Sequence, residues 1–262
     1  MDEKILNCNK EAWNEATHYH QVARKNALHE KFEDPNFVTY EDNYEDNRIV
    51  DIIKSFDLEG KKVTHIQTNN GRELISLMRV SKAQEGVGFD ISDEALREAE
   101  ELTAIAKVNA KYECVNIYDI PATYNDYFDM IYITEGSLSW LPDMKQYFEV
   151  MNRILKSGGK MLISEIHPVG FALDEDTDTP VHYDRVGPYK MTGGLDYVGE
   201  VDYTPKDCFW YMHKMSDILN AMISNDFVLE YIDESTTDTG WIDPNDEHPT
   251  MPRSFILIAH KK

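Results

Sequence analysis

Two short polar segments follow apolar stretches in the first third of the chain. The first, Gln67–Gly71 (QTNNG), opens onto a helical pattern, and the second ends at Asp90, nineteen positions after Gly71. If the apolar stretches are neighbouring strands, their carboxyl ends form a ligand site where an acid at this distance can bind ribose hydroxyls. The free N–H groups of a helix that starts near Gly71 to Glu73 can bind a carboxylate. Only one glycine of a GxGxxG motif is present, so an ordinary strand–turn–helix connection explains the loop equally well.

Side chains that could move a proton lie near the ends of later elements. Glu135 follows FDMIYIT, Glu165 and His167 lie in SEIHP, and His213 precedes the helical pattern that starts near Met215. A general base assists reactions at a hydroxyl or a protonated amine, and histidine titrates in the useful pH range. We take His167, His213 and Glu135 as candidate catalytic residues. Each histidine could instead be structural, capping a helix or filling a pocket.

Alternating strand and helix patterns position these residues. We predict strands over 61–67, 86–92, 112–118, 128–136 and 160–168, and helices over 48–57, 71–81, 93–109 and 143–155. This alternation predicts a parallel sheet with helices on both faces and right-handed crossovers. The continuous apolar runs MIYI and MLIS are typical of strands covered on both sides, and Ser92 is suited to cap the helix that follows it.

The segments on either side of this alternation differ from it. The apolar spacing over 8–30 predicts an N-terminal helix, and a polar loop follows over 32–47. Residues 168–205 are rich in Asp, Tyr, Gly and Pro, and we expect hairpins and loops that act as a lid. A helix over 207–225 and strands over 227–234 and 254–262 complete the pattern. We expect one domain over 1–262, made of a helical cap (1–47), a ligand-binding core (48–168), a lid insertion (169–205) and a C-terminal helix with edge strands (206–262).

Composition restricts the partners. The 262-residue chain carries 48 acidic and 26 basic residues, a formal net charge of −22, which disfavours nucleic acid as a partner. The segment MDEKILNCNKEAW lacks the basic start and apolar run of a signal peptide. No stretch approaches the roughly 18–20 apolar residues that span a bilayer. We therefore expect a cytoplasmic protein without membrane contact.

Neither cysteines nor acidic runs predict a metal site. Cys8, Cys114 and Cys208 are far apart and form no CxxC pair, so neither a disulfide framework nor a zinc site is expected. The acidic run Asp174–Asp178 lacks the glycine and the final acid of a calcium-binding loop. We interpret it, and the run Asp233–Glu247, as solvated surface loops.

Five segments in chain order resemble the core of class I S-adenosylmethionine (SAM)-dependent methyltransferases, in particular bacterial small-molecule enzymes with an HLQC-like first loop. The segments are THIQTNNGRELISLMR, VGFDIS, VNIYDIP, FDMIYITEGSLSWLPD and RILKSGGKMLISEIHP. The resemblance is good over 48–168 and moderate over the last 55 residues. It implies an α/β fold with a doubly wound, seven-stranded, mostly parallel sheet and an antiparallel last strand. It also implies SAM as the cofactor and S-adenosylhomocysteine (SAH) as the product.

The resemblance assigns roles to single residues. The first loop would surround the methionine part of SAM, the second strand end the ribose and adenine, the third the adenine, and the fourth the sulfonium and amino group. The N-terminal helix would fold over the cofactor, and an aromatic ring there suits a sulfonium cation. The implied cofactor contacts are Tyr19, Gln67, Thr68, Gly71, Asp90, Ile91, Asn116, Ile117, Thr134, Glu135 and Gly136. This sequence departs from the common pattern, because His65 replaces an acid, and Gln67 and Asn69 replace two glycines.

Three functions compete at this stage. The leading hypothesis is an enzyme that transfers a methyl group from SAM to an oxygen or nitrogen of a small molecule. An NAD-dependent oxidoreductase on a similar sheet and a non-catalytic SAM-binding protein are the alternatives. We expect a small-molecule methyl acceptor as the partner and either a monomer or a homodimer. An aromatic pocket could hold that acceptor, although ordinary core packing explains each of its candidate residues: Trp140, Tyr183, Tyr189, Phe209, Trp210 and Tyr211.

Overall fold

The computed structural model describes residues 2–39, 48–172, 177–199, 203–236 and 250–262. Residues 40–47 of the loop predicted over 32–47 lie outside the described residues, as do most of the two acidic runs, 174–176 and 237–247. No helix within the described ranges is long and apolar enough to cross a membrane.

Nine strands and eight α-helices are described. The strands are β1 (Lys62–Ile66), β2 (Glu85–Asp90), β3 (Ala110–Cys114), β4 (Phe128–Ile133), β5 (Leu155–Ile166), β6 (Tyr189–Lys190), β7 (Phe209–Trp210), β8 (Phe227–Ser235) and β9 (Ser254–Lys261). The helices are α1 (Glu3–Arg24), α2 (Ala27–Glu33), α3 (Arg48–Ser55), α4 (Arg72–Ser81), α5 (Asp93–Ala106), α6 (Met144–Ile154), α7 (Pro168–Ala172) and α8 (Met215–Ser224).

A seven-stranded sheet with the order β3-β2-β1-β4-β5-β9-β8 forms the centre of the molecule. Strands β1 to β5 pair in parallel, and β9 runs antiparallel to both β5 and β8. The predicted doubly wound sheet with an antiparallel last strand is therefore confirmed. Strand order reverses between β1 and β4, so the crevice for a ligand lies where these two neighbours end.

Apolar side chains cover both faces of the sheet. On β4, Ile131 and Ile133 pack into one cluster with Phe148 of α6, whereas Met130 and Tyr132 face the opposite cluster. Alternate residues of a strand point to opposite faces, so a strand buried on both sides must be apolar throughout. The run MIYI, which is fully buried, meets this condition.

The observed helix ends agree with the sequence-based predictions in some places and differ from them in others. The Ser92 hydroxyl accepts a hydrogen bond from Ala95 N at 3.1 Å, which confirms its predicted role as the N-cap of α5. The single helix predicted over 8–30 is wrong in its middle, because Lys25 has a φ of 52° and separates α1 from α2. Apolar spacing alone does not detect such a break, since periodicity continues across it.

The helix predicted over 207–225 is wrong in its first part. Phe209 and Trp210 form β7, which pairs with β6, and the helix begins only at Met215. The rings of Tyr189 and Trp210 lie 5.3 Å apart and both side chains are buried. Aromatic residues fit a paired strand well, so cross-strand packing prevails over the helical spacing of FWYMHKM.

Candidate functional site

The loop between β1 and α4 bends sharply. Three of its five residues have positive φ: Gln67 (55°), Asn69 (48°) and Gly71 (74°). Any Cβ on Gly71 would lie 2.4 Å from Tyr112 Oη and 2.8 Å from Ala99 Cβ, so only glycine fits there. The turn carries Asn69 N to the end of β2 and leaves the first N–H groups of α4 without a side-chain cap. The loop thus keeps one required glycine despite its unusual sequence.

Asp90 fastens this loop to the end of β2. Its carboxylate accepts hydrogen bonds from Asn69 N at 2.7 Å and from Ser92 N at 2.9 Å. The side chain is buried, and burial raises the pKa of Asp90 while these backbone N–H groups oppose the shift. Asp90, which is predicted to bind the ribose, is therefore in direct contact with the loop that is predicted to surround the methionine part of SAM.

His65 connects the first loop to the end of β4. Its Nδ1 lies 3.1 Å from Thr68 Oγ1, and its Nε2 lies 2.8 Å from Thr134 Oγ1. The ring is 1% exposed, and burial lowers the pKa of His65 to about 4, so the imidazole is neutral near pH 7. The sequence shows only that a histidine replaces an acid; its two threonine partners emerge from the fold.

Glu165 holds the segment that follows β4. Its carboxylate accepts backbone hydrogen bonds from Gly136, Ser137 (2.8 Å), Leu138 (3.0 Å) and Ile166 (2.7 Å). The side chain is 1% exposed, and burial raises the pKa of Glu165 to about 7 against the effect of these N–H groups. Glu165 therefore positions the predicted cofactor residues Thr134 to Gly136.

The end of β3 joins the same edge. Val115 N donates to Asp90 O at 2.8 Å, and Cys114 Sγ lies 3.4 Å from Ile91 O. The Asn116 side chain accepts from Tyr118 N at 3.3 Å and caps a short turn that begins with the buried Ile117. The structure thus brings the predicted contacts Gln67 to Gly71, Asp90, Ile91, Asn116, Ile117 and Thr134 to Gly136 to the carboxyl ends of β1 to β4.

We call α1 and the described residues 189–199 and 203–213 the roof. Its helix α1 contacts the segment that follows β2. Asn14 forms hydrogen bonds with Ser92 Oγ (2.7 Å) and Asp93 Oδ1 (3.1 Å), so α1 crosses above the end of β2. Lys10 Nζ adds an ion pair with Asp93 at 2.8 Å. Tyr19, the predicted sulfonium contact, is half-buried, and its ring lies 4.3 Å from that of Tyr203.

The two parts of the roof are bonded to each other. Asn9 Nδ2 donates to Phe209 O and Asn9 Oδ1 accepts from Phe209 N, both at 2.8 Å. His20 Nε2 donates to Leu195 O at 3.0 Å, and burial lowers the pKa of His20 to about 4. Leu195 also packs against the buried Ala16. The N-terminal helix and the predicted lid therefore form one cover.

The two candidate histidines have different surroundings. His167 Nδ1 accepts from Val169 N at 3.1 Å, so Nε2 carries the proton and donates to Glu234 Oε1 at 2.8 Å. His213 Nε2 donates to Leu141 O at 2.6 Å, which leaves Nδ1 as the unprotonated nitrogen. This Nδ1 has no partner within the described residues, and burial lowers the pKa of His213.

Metal ligands are not grouped in the part of the chain that is described. Among those residues, no set of three or more His, Cys, Asp or Glu side chains could hold a metal ion. The cysteines are free, with Cys208 buried and Cys114 exposed.

A family model described as a methyltransferase domain matches residues 57–186, which contain the carboxyl ends of β1 to β5 but not the roof. Residues 57–186 are therefore a methyltransferase domain of the class I, SAM-dependent type. SAM is the cofactor of this family. A search among curated proteins gave no match.

Solved methyltransferase structures share the fold of this methyltransferase. A SAM-dependent methyltransferase from Clostridium acetobutylicum is 15% identical, with a TM-score of 0.60, over 93% of this chain and 96% of that one. A second, from Mesorhizobium loti, is 18% identical, with a TM-score of 0.60, over 80% and 96%. Geranyl diphosphate C-methyltransferase from Streptomyces coelicolor is 13% identical, with a TM-score of 0.57, over 82% and 79%.

The first loop of the methyltransferase offers complementary polar atoms for SAM. Gln67 Oε1 and Asn70 Nδ2 are buried and have no hydrogen-bond partner within the described residues. A buried polar atom without a partner costs free energy, so a ligand that satisfies both is favoured. The amino-acid end of SAM carries an ammonium donor and a carboxylate acceptor, and the residues present therefore fit the cofactor.

Proposed function

We propose that this methyltransferase transfers the methyl group of SAM to an oxygen or nitrogen of a small molecule. SAM supplies a methyl carbon that its sulfonium has already activated. The protein must then hold the acceptor in line and remove its proton where one is present. The observation that carries the proposal is the free Nδ1 of His213, a basic nitrogen with a fixed tautomer on the roof side of the site.

We propose the cofactor contacts that the resemblance implies. Gln67, Thr68 and Gly71 would hold the methionine part, Asp90 and Ile91 the ribose and adenine. The remaining proposed contacts are Asn116, Ile117, Thr134, Glu135, Gly136 and Tyr19. Support for the loop residues comes from their shared position at the carboxyl ends of β1 to β4 and beneath α1, and from the hydrogen bonds that fix the loops. Tyr19 lies on α1 itself.

His213 is the better-supported general base of the two histidines. Its neutral form is favoured by burial, and the Leu141 carbonyl fixes the proton on Nε2, so Nδ1 can accept a proton from a hydroxyl or an ammonium group. Both nitrogens of His167 already have protein partners, which supports a structural role at the start of α7. Glu135 at the end of β4 stays a candidate for contact with the acceptor or the cofactor amino group.

Titration calorimetry with SAM, SAH and NAD tests the cofactor. We expect SAM and SAH to bind and NAD not to bind. NAD binding in the absence of SAM binding would overturn the proposal in favour of the oxidoreductase alternative.

An acceptor screen tests the reaction, with SAH release measured for phenols, alcohols, amines and alkenes. We expect turnover with a hydroxyl or amine compound, and a loss of about 10²–10⁴-fold in kcat for His213→Asn but not for His167→Gln. Turnover with alkenes but with no hydroxyl or amine compound would overturn the proposed oxygen or nitrogen acceptor in favour of carbon. SAM binding without turnover on any of these acceptors would favour the non-catalytic alternative.

We also propose that residues 1–262 act as one domain, because α1 and the lid insertion complete the site that the core begins.

A further inference from the structure

Residues 136–141, which we call the linking segment, lie shortly after β4 and connect the first loop to the roof. Four of the six residues are buried: Ser137, Leu138, Ser139 and Leu141. Backbone N–H groups at the start of the segment bond to β5, and its carbonyl groups bond to the first loop and to the roof. Parts of the site that are distant in sequence therefore depend on the position of this one segment.

The carboxylate of Glu165 fixes the start of the linking segment. It accepts hydrogen bonds from the N–H groups of three successive residues, Gly136, Ser137 and Leu138. A carboxylate has two oxygens that only accept, whereas an amide has one accepting oxygen and an NH₂ group that would face these donors. Bonds to a charged acceptor are also about twice as strong as bonds between neutral groups. The position of the segment therefore requires the charge of this side chain as well as its shape.

One carbonyl of the linking segment orients Gln67 of the first loop. Gln67 Nε2 donates to Ser137 O at 2.9 Å, in the residue whose N–H group bonds to Glu165. The amide has one donor end and one acceptor end, so this bond determines which end points away from the segment. Gln67 Oε1 is buried without a partner among the described residues. The accepting oxygen is thus left for the ammonium group of the cofactor.

Two further carbonyls of the segment orient His213. His213 Nε2 donates to Leu141 O at 2.6 Å, which fixes the tautomer of the ring. Tyr211 N donates to Ser139 O at 2.6 Å, which fixes the backbone that carries His213. The unprotonated Nδ1 therefore owes both its protonation state and its position to the linking segment.

A single turn connects these carbonyl groups. Residues 138–140 form one turn of 3₁₀ helix. Trp140 N donates to Ser137 O at 3.3 Å. Leu141 N donates to Leu138 O, also at 3.3 Å. Because the turn is closed by its own hydrogen bonds, a displacement at Ser137 also moves the carbonyl of Leu141.

We propose that Glu165 is a positioning residue for both reactants of the methyl transfer. Through the linking segment it orients Gln67 towards the cofactor and His213 towards the acceptor, so that one buried carboxylate couples the two halves of the site. The inference rests on the proposed function, because Gln67 as a cofactor contact and His213 as the base both belong to that proposal.

Titration calorimetry with SAM tests the cofactor half. Glu165→Gln keeps the size of the side chain but removes its charge, and we expect SAM affinity to fall roughly 5- to 30-fold. Glu165→Asp keeps the charge on a shorter side chain and should lose less affinity, about two- to fivefold. Circular dichroism checks that each variant folds, and Glu165→Asp takes over every comparison if Glu165→Gln does not.

A double variant shows whether Glu165 acts through Gln67. Gln67→Leu alone should lower SAM affinity roughly tenfold. Adding Glu165→Gln to this variant should lower the affinity by less than about threefold further, because the side chain that it positions is already gone. Losses that multiply fully would mean that Glu165 affects SAM binding by another route, and would overturn the inference.

Nitrogen-15 NMR of labelled histidines tests the acceptor half without a known acceptor. The chain has 9 histidines, and the signals of His213 are those that disappear in His213→Asn. In the unmodified protein we expect a protonated Nε2 and an unprotonated Nδ1. In Glu165→Gln the Leu141 carbonyl is displaced, so the two signals should move towards each other as the two tautomers exchange.

Asp129→Asn is the matched control. Asp129 lies near the amino end of β4, and its carboxylate accepts hydrogen bonds from Lys62 N and Lys156 Nζ, both at 2.9 Å. The variant removes a carboxylate that bonds to backbone at the opposite end of the sheet. It should leave SAM affinity within about twofold and the His213 signals in place, because distant sites act independently.

The inference is overturned if folded Glu165→Gln keeps its SAM affinity, if its His213 signals stay in place, or if Asp129→Asn changes both to the same extent. Failure of the unmodified protein to bind SAM would instead refute the cofactor assignment. Full turnover by His213→Asn would refute the general base, while the affinity and NMR measurements decide separately what Glu165 positions.

Discussion

The carboxyl edge of the sheet and the roof above it are held together in different ways. At the edge, buried Asp90, His65 and Glu165 bond mostly to backbone N–H groups and hydroxyls of adjoining loops. In the roof, side chains of α1 bond to segments almost two hundred residues away, and many of these contacts are exposed. We therefore expect the edge to stay fixed whenever the sheet is folded, and the roof to separate without unfolding of the sheet.

This difference suits a site that must admit and release ligands. Loops that contact the cofactor are kept in place by buried polar groups, whose loss is costly. The roof instead combines a few buried hydrogen bonds with surface ion pairs, which contribute little to the free energy of folding. We therefore expect ligand entry to break contacts such as Asn14–Ser92 and Lys10–Asp93, while the edge stays intact.

The largest expected effect comes from removing the carboxylate of Glu165. Glu165→Ala leaves four backbone N–H groups without their acceptor in a buried site, so the free energy of unfolding should fall by about 3–5 kcal/mol. Urea unfolding measures the change. A loss below about 1 kcal/mol would mean that the edge is not held by this residue and would remove the contrast with the roof.

A pH effect should appear at His65. Its pKa is about 4 in the folded protein and about 6.5 when exposed, so its contribution to stability is full above pH 6.5 and is lost as the pH falls towards 4. Between pH 7 and pH 5, the unfolded state binds more protons, which costs the folded state about 2 kcal/mol. Urea unfolding at both pH values measures the effect. The free energy of unfolding of His65→Gln should fall by about 2 kcal/mol less than that of the unmodified protein between pH 7 and pH 5. Equal losses in both proteins would contradict the prediction.

His20 provides the matching test in the roof, since burial also lowers the pKa of His20 to about 4. Protonation places a positive charge on a side chain that is only 1% exposed, so we expect the roof to open and solvate this charge before the sheet unfolds. Amide hydrogen exchange in α1 should then accelerate at pH 5 relative to pH 7, after correction for intrinsic rates, and His20→Gln should show a smaller change. If α1 and the sheet strands accelerate together, the roof is not an independent unit.

A smaller effect is expected for Asn9→Ala. The substitution removes two hydrogen bonds to Phe209, each contributing roughly 1 kcal/mol, from a side chain that is 6% exposed. Amide exchange in α1 should accelerate about tenfold or more, with β1 and β4 unchanged. The prediction fails if exchange in α1 keeps its original rate.

The smallest effect is expected for Lys206→Ala. Lys206 pairs with Glu11 at 3.2 Å, and both side chains are about half exposed or more (48% and 64%), so stability should change by less than about 0.5 kcal/mol. Lys206 N keeps its bond to Glu15 in this variant, which makes it a suitable control for Asn9→Ala. A loss above about 1 kcal/mol would show that surface pairs also hold the roof.

The sheet was predictable because its central parallel strands β1, β2 and β4 are buried on both faces. A run such as MIYI must then be apolar throughout, and the glycine at position 71 and the acid at position 90 mark the strand ends. The positions of the proposed cofactor contacts follow directly, because the carboxyl ends of neighbouring parallel strands meet at one edge.

The partners of the buried polar residues could not be predicted in the same way. Glu165 was expected near a strand end, but its bonds to Gly136, Ser137 and Leu138 depend on how the chain turns after β4. The pairing of β6 with β7 was missed because two-residue strands leave no periodic signal.

The bond between Asn9 and Phe209 has a consequence for how the protein is made. The two residues are 200 positions apart, so α1 emerges from the ribosome long before its partner has been synthesised. Strands β1 to β5 can pair in the meantime, because their neighbours lie closer in sequence. During translation the apolar stripe of α1 around Ala12 and Ala16 stays uncovered, and chaperones would meet this helix rather than the finished sheet.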